Sequence, residues 1–393
     1  DSERMVTWQG SSQIRFQVAQ PYFHYANHIY EGNDPALANG GNIFGGPIND
    51  NGIEGKQFIM GSFENAGYDR VQVLARVRRG HRRVSGANIT TSNGVLLTNS
   101  AGTEIVGNKI HNSAVQINLN SATNTGVAIY GNKLYSGVGT SYGILQNSSG
   151  YIIGGTNNNQ GNEFYSLIDS IRVETTAGSG GTISGNFFHD NTGIALKLGS
   201  TSAVSNVNIN SNIISGGTKG IELTTGDNNV FSQNSIFGTT SIAIDLGTDG
   251  ATTNDTNDPD TGANSLQNFP VLTTASQSGN IMTINGSLNS TNGTFIVEFF
   301  ASSANTRQAE VYIGSTTVTT TSNNVNFSYA FDVTTVQLFP GSFITATATR
   351  VGGATSEVSS TITASGYTSS TIFVTTLADT LDGTTTSLAG LAV

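Results

Sequence analysis

The chain is 393 residues long, carries a formal charge of −10 with a pI near 4.8, and has only 11% charged residues. That balance argues against general nucleic-acid binding, which needs a basic face, and the lack of cysteine removes disulfide and thiol chemistry. With 48 glycines, 6 prolines and regularly placed Ile, Val, Leu and Phe, the composition describes many turns joined by thin strands around a packed core.

Residues 1 to about 85 are the least regular stretch. Alternating runs at Met5–Trp8, Ile14–Val18 and Val71–Val77 predict strands. The opening Asp1-Ser2-Glu3 reads as the start of a processed product, and no apolar run reaches membrane-span length. An aromatic insert runs from Tyr22 to Tyr30, and six arginines fall between Arg70 and Arg83. This basic cluster reads either as a solvated strand face or as a partner-facing patch, since Arg pairs well with carboxylates across interfaces.

From Ile105 to Leu246 one phrase recurs: a small or polar residue, an asparagine, any residue, then an aliphatic or aromatic one. It reads Gly107-Asn108-Lys109-Ile110, Gly131-Asn132-Lys133-Leu134, Gly161-Asn162-Glu163-Phe164 and Gly185-Asn186-Phe187-Phe188, with looser copies at Asn212 and Asn234. A second phrase falls between the copies, as in Gly193-Ile194-Ala195-Leu196 and Gly220-Ile221-Glu222-Leu223. The asparagines lie 24, 30, 24, 26 and 22 residues apart. Repeats of this period mark a solenoid, in which no coil buries its apolar face alone. Asparagine suits the corners, because it tolerates left-handed backbone and its amide bonds nearby backbone groups.

These phrases, with Ile152-Ile153-Gly154-Gly155-Thr156 beside Gly161-Asn162, resemble the right-handed parallel β-helix repeats of bacterial surface proteins with a pectate-lyase-like fold. The resemblance covers roughly residues 84–250 and implies an all-β chain divided as a parallel β-helix over 1–270, a small Ig-like β-sandwich over 271–364 and a C-terminal tail over 365–393. The passages around Ala243–Gly247 and Leu266–Leu272 resemble the exit from such a helix into a small β-domain. The sandwich strands are expected at Ile281–Ile284, Thr294–Phe300, Val325–Phe331 and Phe343–Thr349.

The repeats specify a fold, and the fold hosts lyases, hydrolases, adhesins and structural proteins. A glycosidase needs paired carboxylates. The outward column read from the repeats is Asn118, Glu174, Lys197, Thr224 and Asp245, which mixes signs and predicts a Glu174–Lys197 ion pair between coils. The histidines at 24, 28, 81, 111 and 189 form no coherent set, and no catalytic residue is assigned. The acidic linker offers Asp255, Asp258 and Asp260 as oxygen ligands for calcium, without the regular spacing of a known calcium loop. No cofactor is required.

A β-helix exposes unpaired backbone at its ends. The N-terminal end has no helical cover in the sequence, whereas the tail holds a strong strand, Thr371–Leu377. The run from Ile372 to Asp382 resembles the strand that opens β-helices in related surface proteins. The resulting expectation is strand donation: Ile372, Phe373, Val374 and Leu377 of one subunit would add to the first coil of the next, with Asp379 and Asp382 facing Arg76, Arg78, Arg79, Arg82 and Arg83. A head-to-tail contact that does not close builds a filament. The expected protein is therefore an extracellular, non-enzymatic structural polymer. Its alternatives are a cell-surface adhesin binding glycans and a polysaccharide lyase or hydrolase.

Overall fold

The computed structural model describes residues 3–8, 14–19, 82–85, 88–90, 93–97, 101–136, 141–336, 338 and 341–366. At the N-terminus, β1 (Glu3–Trp8) and β2 (Ile14–Ala19) pair as an antiparallel hairpin. The solenoid then follows as successive coils of three short strands. The first holds β3 (Arg82–Ser85), β4 (Asn88–Thr90) and β5 (Asn93–Leu96). The second holds β6 (Thr103–Val106), β7 (Lys109–His111) and β8 (Val115–Leu119). Next come β9 (Ala128–Tyr130), β10 (Lys133–Tyr135) and β11 (Tyr142–Gln146), then β12 (Ile152–Gly154), β13 (Glu163–Tyr165) and β14 (Asp169–Val173). The last three coils are β15 (Thr182–Ser184), β16 (Phe187–Asn191) and β17 (Ile194–Leu198); β18 (Asn208–Asn210), β19 (Ile213–Gly216) and β20 (Lys219–Leu223); and β21 (Val230–Ser232), β22 (Ser235–Phe237) and β23 (Ile244–Leu246).

Equivalent strands stack in parallel into three seven-stranded sheets, β3 to β21, β4 to β22 and β5 to β23. Their inward columns are Ile105, Ile129, Ile153, Ile183, Ile209 and Phe231; Ile110, Leu134, Phe164, Phe188, Ile214 and Ile236; and Ile117, Ile144, Ile171, Leu196, Ile221 and Ile244. All of them are buried in one continuous core. Each such side chain contributes about 2 kcal/mol on burial, and it does so only while its neighbours above and below are in place.

The asparagines hold the corner between the first and second sheets. The left-handed residue is the one before the asparagine, as at Gly107 (φ 67°), Gly131 (66°), Gly185 (63°), Ser211 (56°) and Gln233 (53°). This corrects the expectation that the asparagine itself adopts that backbone. Its side chain instead points inward, almost fully buried. Each Nδ2 donates to the next coil's Oδ1: Asn108 to Asn132 at 2.9 Å, Asn132 to Asn162 at 2.9 Å, Asn162 to Asn186 at 2.9 Å, Asn186 to Asn212 at 3.0 Å and Asn212 to Asn234 at 2.9 Å. Each Oδ1 also accepts the backbone N–H of the preceding asparagine. A buried amide with every group engaged stabilises the corner, whereas one left unpaired would cost about 1–3 kcal/mol.

Beyond the solenoid, β24 (Val271–Ser278), β25 (Ile281–Asn289), β26 (Gly293–Ser302), β27 (Val311–Thr320), β28 (Asn324–Asp332), β29 (Phe343–Arg350) and β30 (Ile362–Ser365) form a C-terminal β-domain. The triplets β27-β26-β29 and β24-β25-β28 are each antiparallel, and β30 pairs with both, so hydrogen bonding runs continuously from β27 to β28. Phe299 of β26 stacks on Tyr329 of β28 at 4.8 Å, within a core that includes Met282, Ile284, Phe295 and Ile344.

This domain closes the C-terminal end of the solenoid. Ile236 and Ala309 exchange backbone hydrogen bonds of 2.7 and 3.0 Å, Ala243 N–H donates to the Arg307 carbonyl at 3.0 Å, and Thr355 N–H donates to the Asn229 carbonyl at 3.1 Å. The Glu298 carboxylate accepts from Ser232 Oγ (2.6 Å) and Gln233 N (3.0 Å). Gln308 accepts from Gly238 N (2.6 Å) and donates to the Thr239 carbonyl (3.0 Å). The backbone of the last coil thus finds in this domain the partners that another coil would have supplied.

Candidate functional site

Two rows of outward side chains stand out on the solenoid. The first lies on the β5-to-β23 sheet, where the backbone register aligns Asn118, Leu145, Arg172, Lys197, Glu222 and Asp245. The expected column is therefore corrected at two places: Arg172 stands where Glu174 was expected, and Glu222 where Thr224 was expected. The ion pairs change accordingly. Lys197 Nζ meets Glu222 Oε1 at 2.8 Å, while Glu174 pairs with Arg172 at 3.0 Å within its own coil. Lys219 bridges Glu222 Oε2 (2.6 Å) and Asp245. Arg172 also approaches Asp169 at 3.4 Å and lies over the Tyr142 ring at 4.5 Å.

Glu222 and Asp245 are 3% and 0% exposed, so the acids of this network are buried, while its cations are half-buried. Burial works to raise the Glu222 carboxyl, but the hydrogen bonds and charges of Lys197 and Lys219 hold it below the ordinary range. Burial works to lower the Lys219 ammonium, and its two carboxylates hold it above the usual value. The buried acids are matched by half-buried lysines, which suits a structural clamp between coils.

The second row is aromatic and lies on the β4-to-β22 sheet. His111, Tyr135, Tyr165 and His189 occupy one outward position of four successive coils. Their rings stack at 4.8, 4.7 and 5.1 Å, tilted by 21°, 3° and 12°. Phe187, two residues before His189, leans over it at 4.5 Å and extends the stack. Alongside run Lys109, Lys133, Glu163, Phe187 and Ile213 in register. Lys133 and Glu163 form a salt bridge, and Glu163 also contacts His189 Nε2 at 3.3 Å, while His189 Nδ1 meets Asp190 at 2.7 Å. Burial and the neighbouring Tyr135 and Glu163 raise the Tyr165 phenol. This row is absent from the sequence expectations although the sequence carries a signal for it: in each clear repeat from Asn108 to Asn186, the third residue after the asparagine is His or Tyr.

The other expected site residues fall as follows. Asn108, Asn132, Asn162, Asn186, Asn212 and Asn234 form the ladder described above. Arg82 and Arg83 lie on β3, opposite Thr103 and Glu104 of β6. Arg76, Arg78, Arg79, the insert Tyr22–Tyr30 and the tail residues Ile372, Phe373, Val374, Leu377, Asp379 and Asp382 lie outside the described residues.

In the linker, Asp258 is buried and engaged through both oxygens. Oδ1 accepts Asn268 N at 3.0 Å, and Oδ2 accepts Gln267 Nε2 at 2.8 Å and Ser290 Oγ. Burial raises its carboxyl against these hydrogen bonds, and the charges of Asp255 and Asp260 add to the rise. Asn268 in turn binds the Asp255 carbonyl at 2.9 Å. Here Asp258 is a hydrogen-bond anchor between linker and β-domain. Among the described residues no group of three His, Cys, Asp or Glu is placed to hold a metal ion.

Residues 80–268, just under half of the chain, match the family model described as periplasmic copper-binding protein (NosD). No curated protein matches the chain. Copper favours imidazole and sulfur donors, and the described residues do not supply a fitting set. Cysteine is absent from the sequence. Met282 is sealed in the core of the C-terminal domain. His111 and His189 are separated along their column by Tyr135 and Tyr165, a span of about 14 Å at the ~4.8 Å spacing of paired strands. What the match and the structure share is architecture, and on that ground the chain is a parallel β-helix repeat protein.

Proposed function

We propose that this is a secreted or periplasmic, non-enzymatic structural protein whose subunits join head to tail through strand donation by the segment after Gly366. The NosD description, a periplasmic family, supports the compartment. The observation that carries the assembly reading is the closure of the last coil. Its backbone is already paired with the chain's own C-terminal domain through Ile236–Ala309, Ala243–Arg307 and Asn229–Thr355. Direct coil-on-coil growth is blocked there, so a head-to-tail continuation would use a segment lying beyond that domain. The apolar run Ile372-Phe373-Val374 has the alternation such a donor strand needs. The non-enzymatic reading is supported by the outward charged row, whose acids are enclosed and matched to lysines.

The test compares the full chain with a version ending at residue 365, by sedimentation velocity and negative-stain microscopy. Filaments from the full chain and monomers from the shortened one are expected. Filaments from the shortened chain would sink strand donation, and a full chain that stays monomeric at every concentration would sink the assembly itself.

A further inference from the structure

The geometry points to a glycan-binding strip on the aromatic row, with a neutral polysaccharide chain lying along the solenoid axis across His111, Tyr135, Tyr165, His189 and Phe187. This inference is independent of head-to-tail assembly. Four of the rings are held in one line by strand register and by one another, at centroid separations of 4.7 to 5.1 Å, and Phe187 of the adjacent column stacks on His189 at 4.5 Å. They are preorganised, so binding them costs little side-chain ordering.

Inner rings of the stack cover each other's faces, so they offer a ligand their edges, with the phenol hydroxyls of Tyr135 and Tyr165; the His189 nitrogens are held by Glu163 and Asp190. The stack ends at Phe187, 40% exposed, beside Ile213, 47% exposed, so an apolar platform adjoins a row of hydrogen-bonding edges. A sugar chain offers the complementary alternation of C–H faces and hydroxyl rims. Aromatic surfaces with one apolar side and one wet edge suit such partners.

Charge selects among polymers. Lys109 and Lys133 are balanced by Glu163 and Asp190, two of which already pair as Lys133–Glu163. The strip is thus locally neutral in a chain of net charge −10, with no field to attract an acidic polysaccharide or a nucleic acid. Its narrow face, built from strands of three to five residues, has the linear form of a single extended polymer chain.

The full chain would be titrated calorimetrically with cellohexaose, xylohexaose and a galacturonic acid hexamer. Binding of at least one neutral oligosaccharide is expected, weakened at least tenfold in Phe187→Ser and in Tyr165→Ala. Ile152→Ser, which alters an exposed residue on a different sheet, should leave binding unchanged. Far-UV circular dichroism and melting would confirm that the variants are folded, and the exposed Phe187 makes its variant the safer one. Three results would overturn the proposal: no binding of either neutral hexamer, preference for the acidic one, or full binding by folded Phe187→Ser. Concentration-dependent self-association that Phe187→Ser abolishes, without glycan binding, would instead assign the strip to packing between copies.

Discussion

At the scale of single residues, the turns decide what the coils tolerate. Gly102 and Gly185 share a φ of 63°, yet their surroundings differ. A Cβ on Gly102 meets nothing within 4 Å, whereas one on Gly185 would lie 2.1 Å from the Gly155 carbonyl oxygen. Gly102→Ala should therefore cost only the left-handed backbone penalty of about 1 kcal/mol. Gly185→Ala adds a clash with the adjacent coil's backbone and should cost ~3 kcal/mol or more. Chemical denaturation of the two variants checks the difference, and equal costs would mean that the coils slide apart freely. Asparagine shows what a sequence does and does not reveal at this scale. Its recurrence marks the corners plainly. That its amide faces inward and bonds coil to coil, while Gly107 or Ser211 takes the left-handed backbone, depends on contacts made 22 to 30 residues away.

At the scale of strands and sheets, the same limit appears as register. The inward Ile, Leu and Phe columns were legible because they recur in every coil. The outward charged row was misaligned because Gly193-Ile194-Ala195-Leu196 looks equivalent to Gly220-Ile221-Glu222-Leu223. The structure instead sets Leu196 opposite Ile221. A slip of two residues leaves the inward and outward faces unchanged, so alternation alone cannot detect it. Ile194 consequently pairs with Lys219, and Lys197 meets Glu222. In the C-terminal domain the alternating strands β25, β26, β28 and β29 were legible. By contrast β24, β27 and β30, richer in Thr and Ser, were not. The corrected row carries its own expectation. Glu222→Gln leaves the half-buried Lys197 and Lys219 with one carboxylate fewer and should destabilise the solenoid by about 3 kcal/mol. Thermal melting would show it, and an unchanged midpoint would reduce the network to surface decoration.

At the scale of the whole molecule, the seam between solenoid and C-terminal domain contains a carboxylate that responds to pH. Glu357 is 1% exposed and accepts from Leu246 N at 3.1 Å and Thr252 N at 3.0 Å, with Arg307 Nη2 at 3.5 Å. Burial pushes it up to about 7, against the Leu246 hydrogen bond, the Arg307 charge and the Thr252 hydrogen bond, with Asp245 adding to the rise. Because the folded value lies above the ordinary 4.5, the folded seam holds its proton more tightly than the unfolded chain. That contribution is complete below pH 4.5 and is lost as pH rises through about 7. A rise of this size corresponds to about 3 kcal/mol. The C-terminal domain should therefore melt earlier at pH 8 than at pH 5, and Glu357→Gln should flatten that dependence. An identical pH profile in the variant would place the titration elsewhere.

The asparagine ladder has one further implication, for how long such a molecule can be. Each rung from Asn132 to Asn212 gives an Nδ2 hydrogen to the next and takes one from the rung before, so these coils present the same socket above and plug below. Coils are interchangeable washers on a common spindle. A whole one can be spliced in or out between two rungs, changing the height by about 4.8 Å while the seam at the C-terminal domain keeps its fit. Length thereby becomes a freely adjustable dimension of the protein, independent of whatever its ends and outer faces are selected to do.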